Sequence, residues 1–480
     1  MATATLKESL AAKGQLHLLD HYDSLSATEQ ETLIQNISKL DIDRCNSIFK
    51  TATTSKPKQG KLEPLPDSAF DSTITCKKEK KLQWHNLGMK NIAENKVAVI
   101  LLAGGQGTRL GSSDPKGCYD IKLPSGKSLF QLQGERILKL QQLAQKQASQ
   151  KVIIPWYVMT SGPTRAPTES FFKAKNYFGL DPANVIFFEQ GTLPAFTPEG
   201  KIFMETKDTP ALSPDGNGGI YAALRNEGII DDLEKRKIPY VHAYCVDNCL
   251  VKVADPVFVG YCIEKNADCG AKSIPKTKPE ESVGVICVKD GKYAVVEYSE
   301  IDPEVAAQRD ANGNLRYCAA NIANHFYTTE FLKKVHSFEG KLEYHIAKKK
   351  IKHVDAKGEK IVPTANNGIK LELFIFDVFP FTERFAVLET LRADEFSPLK
   401  NAPGSKDGDS PDTSRADIMA QHVRFVQSAG GAFTDPATAV FEISPLVSYG
   451  GEGLEKLSGV TIPTPKHIGK VEDLDALIRS

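Results

Sequence analysis

The sequence has no excess of charge of either sign, because 60 Lys and Arg balance 60 Asp and Glu among 480 residues. A balanced chain has no overall attraction for nucleic acid or for an anionic membrane, so neither is an expected partner. No apolar run reaches the length of a membrane-spanning helix, and the first residues lack the basic and apolar regions of a secretory signal. These absences predict a cytoplasmic protein.

The sequence also lacks a disulfide or zinc pattern. Its nine cysteines are an odd number scattered along a long chain, which favours free thiols over a disulfide framework. Four of them lie close together at positions 245, 249, 262 and 269, but their spacing matches no common zinc site. We therefore expect no metal cluster built on cysteine.

One stretch, residues 97–116, stands out among what is present. Six apolar residues from Val97 to Leu102 predict a strand buried on both faces, and a run of glycines at positions 104, 105 and 107 follows. Glycines let backbone N–H groups approach an anion closely, because no Cβ stands in the way. Arg109 and Lys116 add cationic donors that suit phosphate oxygens. This stretch predicts a site for a nucleotide phosphate.

Two common phosphate motifs do not fit. A dinucleotide fingerprint needs a third glycine where Leu110 stands. Gly126-Lys127-Ser128 resembles the end of a Walker A loop, but Ile121 occupies the position of that loop's first glycine. A dehydrogenase and a P-loop enzyme are therefore both disfavoured.

The length predicts two to four domains, and the pattern changes twice along the chain. The first 95 residues look helical, with a capping box at Ser26–Glu29. Short apolar runs then alternate with amphipathic segments, which predicts βαβ units and a mostly parallel sheet. The further predicted elements are strands at 153–160, 185–189 and 240–246, helices at 128–140, 168–177, 220–225 and 371–379, a hairpin at 283–297 around Asp290-Gly291, and a β-rich tail from Phe433.

Three other features could meet a ligand. Residues 214–219 read Pro-Asp-Gly-Asn-Gly-Gly before a helical pattern, and they would share a cleft with the first glycine loop if both lie at the carboxyl edge of one sheet. Asp247 ends a predicted strand, where it could hold a divalent ion or cap the next turn. Asn321 and Asn324 lie in an apolar context, where their amides need partners such as sugar hydroxyls, or brace a loop.

The sequence becomes recognisable when these segments are combined. Residues 102–110 read L-A-G-G-Q-G-T-R-L, and the later segments are P-D-G-N-G-G at 214–219, Y-C-V-D-N at 244–248, V-E-Y-S-E at 296–300, N-I-A-N-H at 321–325 and S-P-L-K-N-A at 397–402. From residue 83 to 453 the chain resembles the eukaryotic UDP-N-acetylglucosamine pyrophosphorylases. The resemblance implies an α/β fold with a central Rossmann-like, GT-A-like nucleotidyltransferase domain at 96–390. A helical domain at 1–95 and a small β-rich domain at 391–480 would flank it.

The resemblance also implies site residues. The implied UTP contacts are Leu102, Ala103, Gly104, Gly105, Lys116, Gln190, Gly216, Asp247 and Lys400. The implied sugar contacts are Asn217, Gly284, Glu297, Tyr298, Asn321, Phe374 and Phe376. Arg109, Lys116 and Lys400 would act in catalysis, and Asp247 would lie near a metal ion. From composition alone, Phe374 and Phe376 read as core residues.

The implied reaction joins UTP to N-acetylglucosamine 1-phosphate and releases diphosphate, with Mg²⁺ as the expected cofactor and Mn²⁺ as an alternative. The alternatives are a UTP:glucose-1-phosphate uridylyltransferase and a non-catalytic sensor that binds a UDP-sugar. We expect a monomer or a weak homodimer.

Overall fold

A computed structural model describes residues 2–54 and 60–479. No helix in these ranges is long and apolar enough to cross a membrane. The α-helices of the described residues are α1 (Ala2–Ala12), α2 (Ala27–Ser38), α3 (Ile42–Thr54), α4 (Lys78–Ala93), α5 (Leu129–Gln145), α6 (Gly162–Ala174), α7 (Ile220–Asn226), α8 (Ile229–Lys235), α9 (Pro256–Glu264), α10 (Pro303–Ala306), α11 (Thr329–Lys334), α12 (Arg392–Glu395), α13 (Pro411–Ser428) and α14 (Val471–Arg479).

The strands of the described residues vary in length from two residues in β1 to ten in β12. In chain order they are β1 (Leu62–Glu63), β2 (Phe70–Ser72), β3 (Val97–Leu102), β4 (Trp156–Thr160), β5 (Val185–Glu189), β6 (Thr192–Pro194), β7 (Leu212–Pro214), β8 (Tyr240–Cys245), β9 (Cys269–Pro275), β10 (Val285–Lys289), β11 (Lys292–Val296), β12 (Ala319–Thr328), β13 (His345–Lys349), β14 (His353–Val354), β15 (Lys360–Ile361), β16 (Gly368–Glu372), β17 (Phe385–Glu389), β18 (Ala432–Phe433), β19 (Phe441–Ile443), β20 (Thr461–Ile462) and β21 (Lys466–Ile468).

The chain folds into two compact units, each built from several stretches of sequence. Unit 1 comprises Met1–Gly60, Gln190–Ala223 and Phe338–Asp377. Unit 2 comprises Lys61–Glu189, Leu224–Ser337 and Val378–Ser480. The domain boundaries expected from the sequence, near residues 95 and 390, stay a prediction.

Unit 2 contains the central sheet, whose main path runs in the order β2-β17-β9-β12-β8-β3-β4-β5. All pairs along this path are parallel except those of β12, which runs antiparallel to both β8 and β9. The hairpin β10-β11 joins the sheet where β10 pairs with β12, and β1 pairs with β10. The mostly parallel α/β fold predicted from the sequence is therefore confirmed.

The largest core of unit 2 lies between the central strands and the helices that pack on them. All six residues of β3 are buried, as the unbroken apolar run predicts. Trp84 of α4, Phe130 of α5, Phe172 of α6 and Phe258 of α9 are fully buried in the same cluster. This packing fixes β3, and with β3 the point at which the glycine loop begins.

Most of the local predictions agree with the structure. The capping box at Ser26 and Glu29 opens α2, and Ser128 caps α5 by accepting a hydrogen bond from Gln131 N. The predicted hairpin is β10-β11, with Asp290 and Gly291 both at positive φ in its turn. The tail of unit 2 holds the short strands β18 to β21, as predicted, together with helices α13 and α14.

The predicted helix at 371–379 is wrong. Leu371 and Glu372 end strand β16, which pairs with β13 in unit 1, and a 3₁₀-helix then covers Ile375–Phe381. A helix needs local backbone hydrogen bonds, but Leu373 uses its N–H to reach Asp215 O and its carbonyl to accept from Gly218 N. The long-range pairing of Leu373 therefore overrides the apolar pattern of the segment.

The Walker-like lysine has a structural role. Lys127 Nζ lies 2.6 Å from Glu135 Oε2 and donates to Ser444 Oγ at 2.8 Å. The neighbouring Ser125 donates to Glu442 Oε1 at 2.7 Å. These contacts tie the segment before α5 to β19, which agrees with the rejection of a P-loop.

Candidate active site

The glycine loop between β3 and α5 is closed by its own backbone. Gly107 N donates to Asp114 O at 2.9 Å, and Lys116 N donates to Gly105 O at 3.1 Å. Ser161, just beyond β4, donates to Gly104 O at 2.7 Å. Gly105 is exposed, whereas Ala103 is buried at the end of the strand. The loop therefore presents backbone near Gly105 to solvent on a fixed base.

Lys116 and Asp247 meet at the carboxyl edge of the sheet. Leu102 at the end of β3 pairs with Cys245 at the end of β8, so the segments that follow these parallel strands leave the sheet together. Lys116 Nζ lies 3.7 Å from Asp247 Oδ2 and donates to Leu399 O at 3.1 Å. Both side chains keep solvent access, with 20% and 27% exposed. A cation and a carboxylate thus share one half-buried site, beside a backbone that can bind phosphate.

The segment that precedes Lys400 is held on this edge. Leu399 N donates to Asp247 O at 3.0 Å, and Asn248 Oδ1 accepts from Ser397 N at 3.0 Å. Asn248 also donates to Glu395 O at 2.7 Å. The side chain of Lys400 is partly exposed and lies 3.5 Å from Asp409 Oδ2. The structure therefore fixes the backbone beside Lys400 next to Asp247 and Lys116.

A buried network of ion pairs anchors Glu395, which lies just before the segment that leads to Lys400. Lys272 is fully buried in β9, and its Nζ lies 2.6 Å from Asp255 Oδ2 and 2.9 Å from Glu395 Oε2. Lys252 Nζ lies 3.2 Å from Glu395 Oε1. Burial opposes ionisation of Asp255, but Lys272 and Lys252 outweigh it and lower the pKa of Asp255 to about 2. Glu395, at the end of α12, is thereby fixed just before residues 397–400.

Arg109 lies in the short 3₁₀-helix Thr108–Leu110 and is exposed. Its guanidinium forms no hydrogen bond or ion pair with another residue in the described part of the chain. The catalytic role that the family resemblance implies for Arg109 stays a prediction.

Three of the predicted sugar contacts come together in unit 2. Asn321 N donates to Gly284 O at 2.9 Å. A Cβ on Gly284 would lie only 2.8 Å from Glu297 Oε1, so the carboxylate of Glu297 lies directly over this glycine. Tyr298, the next residue, is 50% exposed. Because β12 runs opposite to β8, Asn321 near its start lies at the same edge of the sheet as Asp247.

The predicted contacts in unit 1 surround the second glycine segment. That segment follows β7, which forms a two-stranded sheet with β6 and is not part of the central sheet. Gly216 has φ +90°, and a Cβ there would lie 2.3 Å from Leu373 O, so only glycine fits. Gln190 Nε2 lies 3.5 Å from Gly216 O, and Asn217 Oδ1 accepts from Ile375 N at 2.9 Å. Gln190, Gly216 and Asn217 therefore lie together.

Phe374 and Phe376 also belong to this part of unit 1. Their ring centroids are 5.1 Å apart, and the Phe374 ring lies 4.4 Å from the His345 ring. Phe376 is buried, whereas Phe374 is only partly buried. The core interpretation therefore describes Phe376 better than Phe374.

Asp215 is a buried carboxylate within the second glycine segment, and the sequence did not predict a role for it. It is 7% exposed, and its Oδ1 has no hydrogen-bond partner among the described residues. Burial raises the pKa of Asp215 to about 6. A Cβ on Gly219 would lie 1.9 Å from Oδ1, so the carboxylate fills the space that this glycine leaves. Asp215 thus shapes the turn that carries Gly216 and Asn217.

Asp215→Asn is expected to stabilise unit 1 at neutral pH. The folded-state pKa of about 6 lies above the usual 3.8, so this carboxyl favours folding below pH 4 and loses that contribution as the pH rises through 6. The substitution should increase the free energy of unfolding at pH 7.5 by about 1–3 kcal/mol, with little change at pH 4. Urea unfolding at both pH values measures this difference. The exposed Asp23→Asn is the matched control, and an equal pH dependence of wild type and Asp215→Asn would contradict the interpretation.

Several residues that support the site rather than contact a ligand were not predicted from the sequence. They are Asp215, the Lys272 network, and His325, whose Nε2 lies 3.2 Å from Asn321 Oδ1. Asp215 lies within the glycine-rich segment 214–219, where a carboxylate among small residues is a recognisable signal. No local signal marks Lys272, because its partners Asp255 and Glu395 are distant in sequence.

Comparisons with known proteins identify the family of this chain. A family model described as "UTP--glucose-1-phosphate uridylyltransferase" matches residues 44–478. The chain is 46% identical to the UDP-N-acetylhexosamine pyrophosphorylase-like protein 1 of Mus musculus, with 96% of each chain covered. It is 45% identical to the UDP-N-acetylglucosamine pyrophosphorylase of Saccharomyces cerevisiae, over 94% of this chain and 97% of the yeast protein.

Solved structures give the same result for the fold. The uridine diphosphate N-acetylglucosamine pyrophosphorylase of Trypanosoma brucei, in complex with an inhibitor, superposes with a TM-score of 0.83 at 31% identity. The match covers 99% of this chain and 95% of the trypanosomal one. The range matched by the family model, 44–478, contains the glycine loop, Lys116, Asp247 and Lys400. The chain therefore belongs to the UTP--glucose-1-phosphate uridylyltransferase family.

Proposed function

We propose that this protein is a uridylyltransferase that converts UTP and N-acetylglucosamine 1-phosphate to UDP-N-acetylglucosamine and diphosphate. The observation that carries the proposal is the meeting of Lys116 and Asp247 beside the glycine loop, with Nζ and Oδ2 3.7 Å apart. The names of the mouse, yeast and trypanosomal relatives support an N-acetylhexosamine substrate. The protein is thus a transferase that acts in amino-sugar metabolism.

The reaction requires the protein to stabilise charge and to position the substrates, and it does not require a protein nucleophile. A phosphate oxygen of the sugar phosphate attacks the α-phosphorus of UTP in line, and the bond to the bridging oxygen of diphosphate breaks. The attacking oxygen is already ionised, so no general base is required. Two anions must approach each other, and cations and backbone N–H groups stabilise the charge that builds up between them. Arg109, Lys116 and Lys400 have this role, with Lys116 already placed beside Asp247.

The UTP contacts follow from the same loop. Leu102, Ala103, Gly104 and Gly105 lead from the buried strand to exposed backbone, which suits close contact with uridine and phosphate. Gln190 and Gly216 are further nucleotide contacts that the family resemblance implies, and within unit 1 Gln190 Nε2 lies 3.5 Å from Gly216 O. Glycine is required at position 216 on steric grounds, since a Cβ would lie 2.3 Å from Leu373 O.

A divalent ion fits Asp247. Mg²⁺ is usually held by one or two carboxylates, with phosphate and water oxygens as its other ligands. Asp247 offers one partly exposed carboxylate, and the described residues contain no cluster of three or more metal-ligating side chains. The donor set therefore suits Mg²⁺, or Mn²⁺, shared with a nucleotide, and does not suit an all-protein metal site. Bound there, the ion would neutralise phosphate charge.

The sugar contacts combine donors with acceptors. Glu297 and Asn321 lie around Gly284 in unit 2, and Tyr298 is exposed next to them. A carboxylate accepts hydrogen bonds from sugar hydroxyls, and a carboxamide can donate them. Asn217, Phe374 and Phe376 are further sugar contacts that the family resemblance implies, and the half-buried Phe374 ring suits an N-acetyl methyl group.

The balanced charge supports small anionic substrates as partners rather than nucleic acid or a membrane surface. We propose a cytoplasmic location, and a monomer or weak homodimer as the working state.

Comparison of two sugar phosphates tests the proposed substrate. We expect purified protein with Mg²⁺ and UTP to release diphosphate with N-acetylglucosamine 1-phosphate at a kcat/KM at least tenfold above that with glucose 1-phosphate. A tenfold preference corresponds to about 1.4 kcal/mol, the scale of one extra buried group in a pocket. The reverse preference would favour a UTP:glucose-1-phosphate uridylyltransferase. Nucleotide binding without turnover of either sugar would instead indicate a UDP-sugar sensor.

Asp247→Asn tests the metal proposal. Removing the charge should weaken binding of Mn²⁺ in the presence of UTP by about tenfold to a hundredfold, the usual range when a residue that supports a metal site is mutated. Electron paramagnetic resonance of free Mn²⁺ measures this without relying on turnover. Asp114→Asn, an exposed change in the glycine loop, is the control. Unchanged Mn²⁺ binding in a folded Asp247→Asn variant would contradict the role of Asp247.

A further inference from the structure

A buried hydrogen-bond chain lies behind Asn321 in strand β12. Asn321 Oδ1 accepts from Ala323 N at 3.1 Å and lies 3.2 Å from His325 Nε2. On its other side, His325 Nδ1 lies 3.1 Å from the hydroxyl of Tyr327. His325 is 0% exposed and Tyr327 is 1% exposed. Neither residue has a role in the reaction described above.

The positions of the hydrogens in this series of hydrogen bonds follow from one donor whose identity is certain, the backbone N–H of Ala323. A backbone N–H can only donate, so the Asn321 atom that faces Ala323 N is the amide oxygen. His325 Nε2 faces the same oxygen and must therefore carry a hydrogen. Burial lowers the pKa of His325 to about 3, so the ring is neutral at pH 7 and its Nδ1 accepts the Tyr327 hydroxyl. Donation thus runs from Tyr327 to His325 and on to Asn321.

The backbone is distorted to allow this arrangement. The register between β12 and β9 shifts between Asn321 and His325, and Ala323 has φ +50° within the shift. A non-glycine residue rarely adopts this conformation, and a bulge often re-aims a side chain next to a site. Here the bulge turns the N–H of Ala323 toward the side chain two residues earlier. Two donors therefore hold one oxygen of Asn321.

We propose that His325 is a positioning residue that holds the Asn321 oxygen inward, so that Asn321 presents its Nδ2–H groups as donors to an acceptor oxygen of the sugar. This inference rests on the proposed function. Asn321 N binds Gly284 O, and Glu297 Oε1 lies over the same glycine. A hydroxyl can accept from Asn321 while it donates to Glu297, which accepts only. The pair therefore recognises a sugar hydroxyl through both of its hydrogen-bonding functions.

A matched pair of variants tests the proposal. His325→Gln keeps an N–H that can reach Asn321, whereas His325→Met has a similar length and no donor. We expect His325→Met to raise the KM for N-acetylglucosamine 1-phosphate about tenfold, with the KM for UTP within twofold of wild type. His325→Gln should stay within threefold for both substrates. A purely structural role would lower the melting temperature of both variants without separating the two KM values.

Several results would overturn the proposal. One is a KM for the sugar phosphate within twofold of wild type in His325→Met. Another is a rise of that KM by the same factor in His325→Met and His325→Gln. The third is a rise of the KM for UTP in His325→Met by the same factor as the KM for the sugar phosphate. If His325→Met does not fold, Tyr327→Phe tests the proposal instead. We expect this variant to raise the KM for the sugar phosphate threefold, and an unchanged KM would overturn the proposal. Wild-type turnover reports on the proposed function, whereas the ratio of variant to wild type reports on His325.

Discussion

Lys116→Met is expected to lower kcat for uridylyl transfer by a factor of roughly 10²–10³, the usual loss when one preorganised donor to a developing charge is removed. The ammonium of Lys116 is held by Leu399 O at 3.1 Å and lies beside Asp247, so its direction is fixed before substrate arrives. A fixed cation stabilises the transition state without the cost of reorganisation. Steady-state kinetics with saturating UTP and N-acetylglucosamine 1-phosphate measures the loss.

Two further variants separate the charge of Lys116 from its packing. Lys122→Met removes a lysine that is 76% exposed and paired with Asp120, and it should leave turnover unchanged. Lys116→Arg keeps the charge with a different shape, so it should recover part of the activity. A folded Lys116→Met variant with kcat within tenfold of wild type would contradict the assigned role.

Lys272→Met is expected to lower the free energy of unfolding by about 3–5 kcal/mol, because it leaves buried carboxylates without their cation. Lys272 is fully buried and contacts Asp255 and Glu395 at 2.6 and 2.9 Å. Lys252 still pairs with Glu395 in the variant, so Asp255 loses most. Urea unfolding at pH 7.5, followed by circular dichroism, measures the change.

Two comparisons test the cause of this loss. Lys61→Met breaks a surface pair whose lysine is 78% exposed, so it should change stability by less than about 1 kcal/mol. The double variant Lys272→Met with Asp255→Asn removes both charges and should be more stable than Lys272→Met alone. If the double variant is less stable, the unpaired charge of Asp255 is not the cause. Activity at 20 °C should also fall in Lys272→Met, because Glu395 anchors the segment that leads to Lys400.

The parts of the fold that follow from local chemistry could be predicted from the sequence. The buried run of β3 and the glycines after it depend on neighbouring residues alone, as does the turn at Asp290-Gly291. The meeting of Lys116 and Asp247 also has a simple origin, because both follow parallel strands and such strands end at one edge of a sheet. These features need no knowledge of distant pairing.

Other parts depend on pairings that no local pattern records. No sequence pattern predicts that β12 runs antiparallel to its neighbours in an otherwise parallel path. This reversed direction places Asn321 at the same edge of the sheet as Asp247. Leu373 leaves the expected helix because its backbone binds Asp215 and Gly218, which lie far away in sequence. The direction of hydrogen-bond donation from Tyr327 through His325 to Asn321 depends on the bulge in β12. In each case a long-range contact competes with local preference and prevails.

The most direct test of the account uses UTP that carries a chiral thiophosphate at the α-phosphorus. We predict that the wild-type protein, with N-acetylglucosamine 1-phosphate, yields the thio-substituted UDP-N-acetylglucosamine and diphosphate with inversion of configuration at that phosphorus. Inversion is the result of a single in-line displacement by the sugar phosphate, positioned by the glycine loop and Lys116. Retention of configuration would contradict the account, because it requires a covalent uridylyl-enzyme intermediate and therefore a protein nucleophile.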